Sequence, residues 1–149
     1  MKVLKVVSII AICTIISYAK DIREPSVLFQ QKCQMCHMDG VSRDAKIIKS
    51  MVSPSMNYTI KNLVWGMDSE HEGLSDVELK KISIAFMKDY LYFPDRKKTN
   101  CEDISFDKFG IMPSLKGFIT EQEMDILLPW VYDKFKPIKQ KDGSWMLKE

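Results

Sequence analysis

Two cysteines and a histidine lie within five residues of one another near the start of the chain. The stretch CQMCH places Cys33 and Cys36 three positions apart and His37 directly after them. Residues three apart share a face of a helix, so both thiols can reach one edge of a flat ligand. A protoporphyrin with two vinyl groups and an iron would use all three side chains, in two thioether bonds and one iron–nitrogen bond. The spacing predicts one covalently attached haem c.

Two other uses of these cysteines stay open. A tetrahedral zinc site would need four ligands, here Cys33, Cys36, His71 and Cys101, but it lacks a second closely spaced pair and leaves His37 unused. A thioredoxin-like dithiol would need Cys33 and Cys36 between a strand and a helix, and no strand pattern precedes them. Of the three uses, haem attachment is the one that involves Cys33, Cys36 and His37 together.

Residues 1–19 are typical of a secretory signal. Two lysines precede an apolar run over residues 6–17, and a small-x-small cleavage pattern ends at Ala19. Retention as a membrane anchor is the alternative, although the run is short for a bilayer span. We therefore expect residues 20–149 to be exported to the periplasm, with membrane association only if the segment is kept.

Charge and cysteine content narrow the class of protein further. The chain has 149 residues with 22 basic and 20 acidic side chains, and cleavage would remove Lys2 and Lys5 and leave equal numbers. This balance does not favour nucleic-acid binding. Attachment of one haem would leave Cys101 over, as a buried thiol, a dimer-forming disulfide or a contact beside the haem.

The apolar pattern is helical through most of the chain, and the sequence predicts an all-α fold. Ser75 and Glu78 form a capping box that begins a helix ended by Pro94, and Thr120 and Glu123 begin the last helix. That last helix carries one apolar stripe, made of Met124, Leu127, Leu128, Val131 and Phe135.

The remaining segments have weaker signals. We expect a short helix over residues 58–65 ended by Gly66, a bend at Pro129, and a long ordered loop over residues 93–118. Residues 137–149 form a polar tail that we expect to be loosely held.

Two stretches resemble the bacterial monohaem class I cytochromes c. LFQQKCQMCH looks like the N-terminal helix and attachment site of that family. MPSLKGFITEQEMDILLPWV, residues 112–131, is similar to its closing motif of a Met-Pro, a short loop and a capped helix with a late aromatic. The resemblance implies a cytochrome c-like domain over residues 20–136 around one haem, with an enlarged middle region.

The resemblance assigns the distal iron ligand to Met112, opposite His37. A thioether is a soft neutral ligand that suits ferrous iron and raises the reduction potential. Met112 could instead be a packing residue, with Met56 or Met67 as the ligand. A bis-histidine site with His71 is a further alternative.

Two more residues are candidates for the haem surroundings. A ligating histidine usually donates its other ring N–H to a carbonyl or carboxylate, and in the resembling family a proline carbonyl accepts it. Pro54 is the best match, although the usual Gly-Pro-x-Leu is missing and Pro54 comes 17 residues after His37. Trp65 could donate its indole N–H to a haem propionate or be a core residue. Phe29 and Trp130 should pack where the first and last helices cross.

An iron whose two axial positions are filled by protein is left with one-electron exchange. The sequence therefore predicts an exported electron carrier, not an enzyme, that docks transiently with redox protein partners. A haem subunit of a larger oxidoreductase and a haem sensor with a displaceable sixth ligand are the alternatives.

Overall fold

The computed structural model describes residues 24–98 and 103–148; the predicted signal segment and Cys101 lie outside them. The helices are α1 (Pro25–Lys32), α2 (Ala45–Ser50), α3 (Met56–Glu70), α4 (Asp76–Tyr92), α5 (Asp103–Phe109) and α6 (Glu121–Phe135). A 3₁₀ turn, Arg96–Lys98, follows α4, and two short strands, β1 (Ile138–Lys139) and β2 (Trp145–Met146), follow α6. Within the described ranges, no helix combines the length and the apolar content needed to cross a bilayer.

Both predicted capping boxes are confirmed. The Glu78 carboxylate accepts the backbone N–H of Ser75 at 2.9 Å, and the Ser75 hydroxyl accepts the N–H of Glu78. Thr120 and Glu123 make the same reciprocal pair at the start of α6. Each box satisfies backbone donors that the first helical turn would otherwise leave unpaired.

The core lies where α6 packs against α1, α3 and α4. The predicted apolar stripe of α6 is fully buried, and Tyr132 joins it. Phe29 of α1 meets Trp130 of α6 with ring centroids 5.6 Å apart, as predicted. The largest fully buried apolar side chains come from all four helices and the segment before α6: Phe29, Leu28, Ile60, Val64, Leu79, Ile119, Met124, Leu127, Tyr132 and Phe135. The chain is mostly helical, as the sequence predicts.

Two predicted boundaries are wrong. Gly66 does not end its helix, since α3 continues to Glu70 with Gly66 buried inside it. A glycine in a helix costs only about 1 kcal/mol, less than the burial of Ile60 and Val64 on the same helix contributes. The stretch over residues 93–118 is not one long loop, because it contains the 3₁₀ turn and α5.

The tail after α6 is not loosely held. Ile138 pairs with Met146 and Lys139 with Trp145 in an antiparallel hairpin. Trp145 is only 8% exposed and belongs to the core cluster. The side-chain amide of Asn57 on α3 donates to the carbonyl of Lys148 at 2.9 Å. Burial of one tryptophan outweighs the polar composition on which the prediction of a loose tail depended.

Trp145→Ala should lower the free energy of unfolding by about 3 kcal/mol, because it removes a large buried side chain from the core. Met146→Ala is the matched control: Met146 is the next residue of the same strand and is 52% exposed. It should cost less than about 1 kcal/mol. Urea unfolding followed by circular dichroism measures both. Equal losses for the two variants would show that the hairpin does not contribute to the core.

Candidate haem-attachment site

The predicted attachment motif forms one tight turn at the end of α1. The carbonyl of Cys33 accepts hydrogen bonds from the N–H of Cys36 at 3.1 Å and from the N–H of His37 at 2.8 Å. Both cysteines are free thiols; Cys33 is half-buried against the core and Cys36 is exposed. The structure therefore brings the two thiols and the imidazole into a single turn, with the motif anchored to the core at its first residue.

The His37 ring is oriented by a backbone carbonyl. Its Nδ1 lies 2.8 Å from the carbonyl oxygen of Pro54, the contact that the sequence analysis predicted. A carbonyl only accepts, so Nδ1 carries the hydrogen and Nε2 carries the lone pair. Burial lowers the pKa of His37, against the opposing effect of the Pro54 hydrogen bond. The ring is thus held neutral at neutral pH, the form that binds metals.

The Pro54 carbonyl is itself fixed by its neighbours. Three hydrogen bonds tie residues 53–57 to residues 36–40. They run from Ser53 Oγ to Cys36 O, from Met56 N to Met38 O at 3.0 Å, and from Gly40 N to Asn57 Oδ1 at 3.0 Å. Asn57 is buried and also holds Lys148, so the orientation of His37 depends on both α3 and the C-terminal hairpin.

The three candidate methionines occupy different environments. Met56 is 6% exposed in the core, and Met67 packs against that core. Met112 is half-buried in the irregular segment between α5 and α6 and lies outside the core cluster. Packing therefore accounts for Met56 and Met67 but not for Met112. Among the described residues no hydrogen bond links Met112 to His37, and axial ligation by Met112 stays a prediction.

The segment between Cys33 and Pro54 exposes an unusual amount of apolar surface. Helix α2 buries none of its side chains, and Ile47 and Ile48 on it are 43% and 40% exposed. Val52 is 66% exposed. A cavity of about 270 Å³ adjoins this segment, lined by residues that include Met38, Met51, Pro54, Tyr58 and Phe109. Exposed apolar side chains beside a cavity are a feature of binding sites.

Sequence reasoning did not identify this apolar segment. Residues 45–52 carry the signal that could have found it, because two isoleucines, a methionine and a valine occur there within six positions. Lys108 on α5 donates to the carbonyl of Ile48 at 3.0 Å, which places α5 beside α2.

Trp65 is not a core residue, because its side chain is 53% exposed. It lies on the outer face of α3 and borders a cleft of about 330 Å³ together with Asp68, Lys139 and Trp145. No described hydrogen bond joins its indole to the attachment motif, and its proposed contact with a propionate stays a prediction.

The alternative uses of the cysteines find less support. His71 ends α3 and is exposed, and in the part of the chain that the structure describes no group of three or more Cys, His, Asp or Glu side chains could hold a metal. Cys101 lies outside the described residues. Burial, and secondarily the charge of Cys36, raise the pKa of Cys33 to about 11. Redox-active dithiols show the opposite, a lowered thiol pKa.

Comparisons with known proteins leave the family open. No family model matches the sequence, and no solved structure matches it. An uncharacterized protein from Aquifex aeolicus (strain VF5) is 36% identical over 53 residues, which are 36% of this chain and 35% of that protein. The chain thus matches about a third of the length of this curated relative.

In the haem-free protein, iodoacetamide should alkylate Cys36 faster than Cys33 at mildly alkaline pH. Cys36 is exposed, whereas the half-buried Cys33 thiol has a raised pKa and contributes little thiolate, the nucleophilic form. Peptide mapping by mass spectrometry measures both rates. In concentrated urea the two rates should converge, and faster labelling of Cys33 in the folded protein would contradict the described environment.

Proposed function

We propose that this chain is an exported c-type cytochrome, a one-electron carrier with one haem attached through Cys33 and Cys36. His37 and Met112 would be the axial ligands. The observation that carries the proposal is the His37–Pro54 hydrogen bond, which leaves a neutral ring with the Nε2 lone pair available beside two free thiols in the same turn.

Each side chain of the motif has a distinct task. The thiols of Cys33 and Cys36 would add to the two vinyl groups and tie the cofactor to the end of α1. His37 would donate its Nε2 lone pair, with Pro54 preventing rotation of the ring. Met112 would supply a neutral thioether from the opposite side, which favours the reduced state. When bound, the haem supplies one-electron exchange at an iron without an open coordination position.

The exposed apolar segment supports the same proposal. Ile47, Ile48 and Val52 leave apolar surface in water next to the attachment turn. A porphyrin face would remove that surface from water, at about 25 cal/mol per Å². Apolar surroundings also disfavour the more highly charged oxidised iron, which raises the potential in the same direction as a sulfur ligand.

We propose a periplasmic location and protein redox partners. The signal-like segment at residues 1–19 would direct export to a compartment where haem is attached to such motifs. Electron-transfer encounters use small interfaces that form and dissociate quickly. Because basic and acidic residues are nearly equal in number, local patches rather than net charge would orient the partners.

The test of attachment is expression of the full chain in a host with haem-attachment machinery. The purified protein should be coloured, keep its pigment through acid–acetone extraction and give a pyridine spectrum of a haem with two thioether bonds. The Cys33→Ala/Cys36→Ala double variant should lose the covalent pigment. Colourless wild-type protein, or pigment that acid–acetone removes, would exclude a c-type cytochrome.

The test of distal ligation is the sulfur-to-iron absorption band of the oxidised protein. Met112→Leu should abolish this band and lower the reduction potential, because leucine keeps the volume but has no ligating atom. Met67→Leu is the matched control and should leave the band in place. Survival of the band in Met112→Leu would transfer the ligand role to another residue.

A further inference from the structure

The geometry points to Lys32 as a positioning residue that fastens the segment carrying Met112 to the attachment helix. This inference rests on the proposed function and adds to it a residue that the motif comparison does not assign. Lys32 is the last residue of α1 and directly precedes Cys33. One side chain next to the proximal ligand motif would thus control how firmly the distal ligand is held.

The Lys32 ammonium makes three contacts across the molecule. Its Nζ donates to the carbonyl of Phe118 at 2.5 Å and lies 4.4 Å from the centroid of the Phe118 ring. It also lies 3.8 Å from Glu123 Oε1 in the first turn of α6. Glu123 is fixed in turn by its capping box with Thr120. Lys32 therefore joins α1 to the end of the Met112 segment and to the start of α6 at once.

These contacts are more shielded from water than an ordinary surface ion pair. The Lys32 and Glu123 side chains are 14% and 22% exposed. Lys88 and Asp125, which link α4 to the same helix α6, are 40% and 57% exposed. Charge-assisted hydrogen bonds gain strength as water is excluded, so the Lys32 contacts should contribute more than the Lys88 pair.

The Met112 segment has anchors on two sides. On the α4 side, Leu115 N donates to Leu91 O at 2.8 Å and Tyr92 OH donates to Ile119 O at 2.9 Å. On the α1 side, the anchor is the Lys32 bond to Phe118. A turn closed by the Phe118 N–H on the Leu115 carbonyl, at 2.9 Å, transmits that bond to the rest of the segment.

Gly117 makes the turn possible, because its φ of 85° lies in the left-handed region that other residues rarely adopt. The Phe118 carbonyl, which follows this turn, accepts its hydrogen bond from Lys32 and not from within the segment. Loss of the Lys32 anchor would remove this bond to α1 and leave the bonds to α4 and the burial of Ile119 in the core. Met112 would then be displaced from the iron more readily, although the core and the thioether bonds would be unchanged.

Titration of the oxidised haem protein with free imidazole tests this inference. Imidazole competes for the position proposed for Met112, and loss of the sulfur-to-iron band reports the exchange. Lys32→Met should tighten apparent imidazole binding about tenfold, the factor that corresponds to about 1.4 kcal/mol. Lys32→Arg, which keeps a donor and a positive charge, should restore most of the wild-type affinity. Lys88→Met, the same substitution at the other α6 ion pair, should leave it unchanged.

The possible results distinguish failure of the proposed function from failure of the positioning role of Lys32. If wild-type protein carries no covalent haem, the proposed function fails. If the haem and the band are present but Lys32→Met binds imidazole as wild type does, or Lys88→Met shifts equally, the positioning role of Lys32 is overturned alone. If Lys32→Met does not fold, Lys32→Gln replaces it, since glutamine keeps a donor for the Phe118 carbonyl without the charge. In that case Lys32→Gln should bind imidazole more tightly than Lys32→Arg, and an equal affinity in the two variants would overturn the positioning role of the Lys32 ammonium.

Discussion

Phe29 packs between Trp130 and Phe135, with ring centroids 5.6 and 5.3 Å away, and this contact joins α1 to α6. The ammonium of Lys134 lies 4.9 to 5.5 Å from the centroids of all three rings and bonds to the Asp39 carboxylate at 2.5 Å. The attachment turn begins four residues after Phe29, and Asp39 follows its last residue, His37, by two positions. The helix crossing thus holds the chain on both sides of the turn.

A site built this way needs few specialised side chains. Backbone carbonyls do much of the positioning: that of Cys33 closes the turn and that of Pro54 orients His37. Burial keeps the imidazole neutral and keeps the Cys33 thiol protonated. Each of these effects comes mainly from the path of the backbone or from burial, and none needs a charged residue outside the motif. The proposed electron carrier would therefore owe its ligand geometry to the packing of α1, α3 and α6 rather than to the attachment motif alone.

Most of the features that the sequence predicts correctly are local ones. Ser75 and Glu78 satisfy each other's backbone over one helical turn, so four residues of sequence are enough to place the start of α4. The buried stripe of α6 follows from spacing in the same way. The Pro54 contact was predicted across 17 residues from the family resemblance, which implies that a proline carbonyl accepts the ring N–H of the ligating histidine.

The features that were missed depend on distant partners. Gly66 looks like a helix end. However, α3 packs against α4 and α6 and continues past Gly66 to Glu70. The hairpin after α6 is short and polar, and it is stabilised by long-range contacts, among them the burial of Trp145 against the core and the bond from Asn57 to Lys148. The isoleucines of α2 are visibly apolar in the sequence, but a helix of six residues is too short for periodicity to tell exposed isoleucines from buried ones.

The crossing of α1 and α6 also constrains the order in which the molecule can be completed. The two helices begin 96 residues apart in the chain, so their contact can form only after most of the chain is present. A polypeptide that emerges from a translocation channel amino end first would present the CQMCH stretch long before α6 could cover it. Under the proposed export and haem attachment, an attaching enzyme would therefore meet these thiols before α6 has packed against α1.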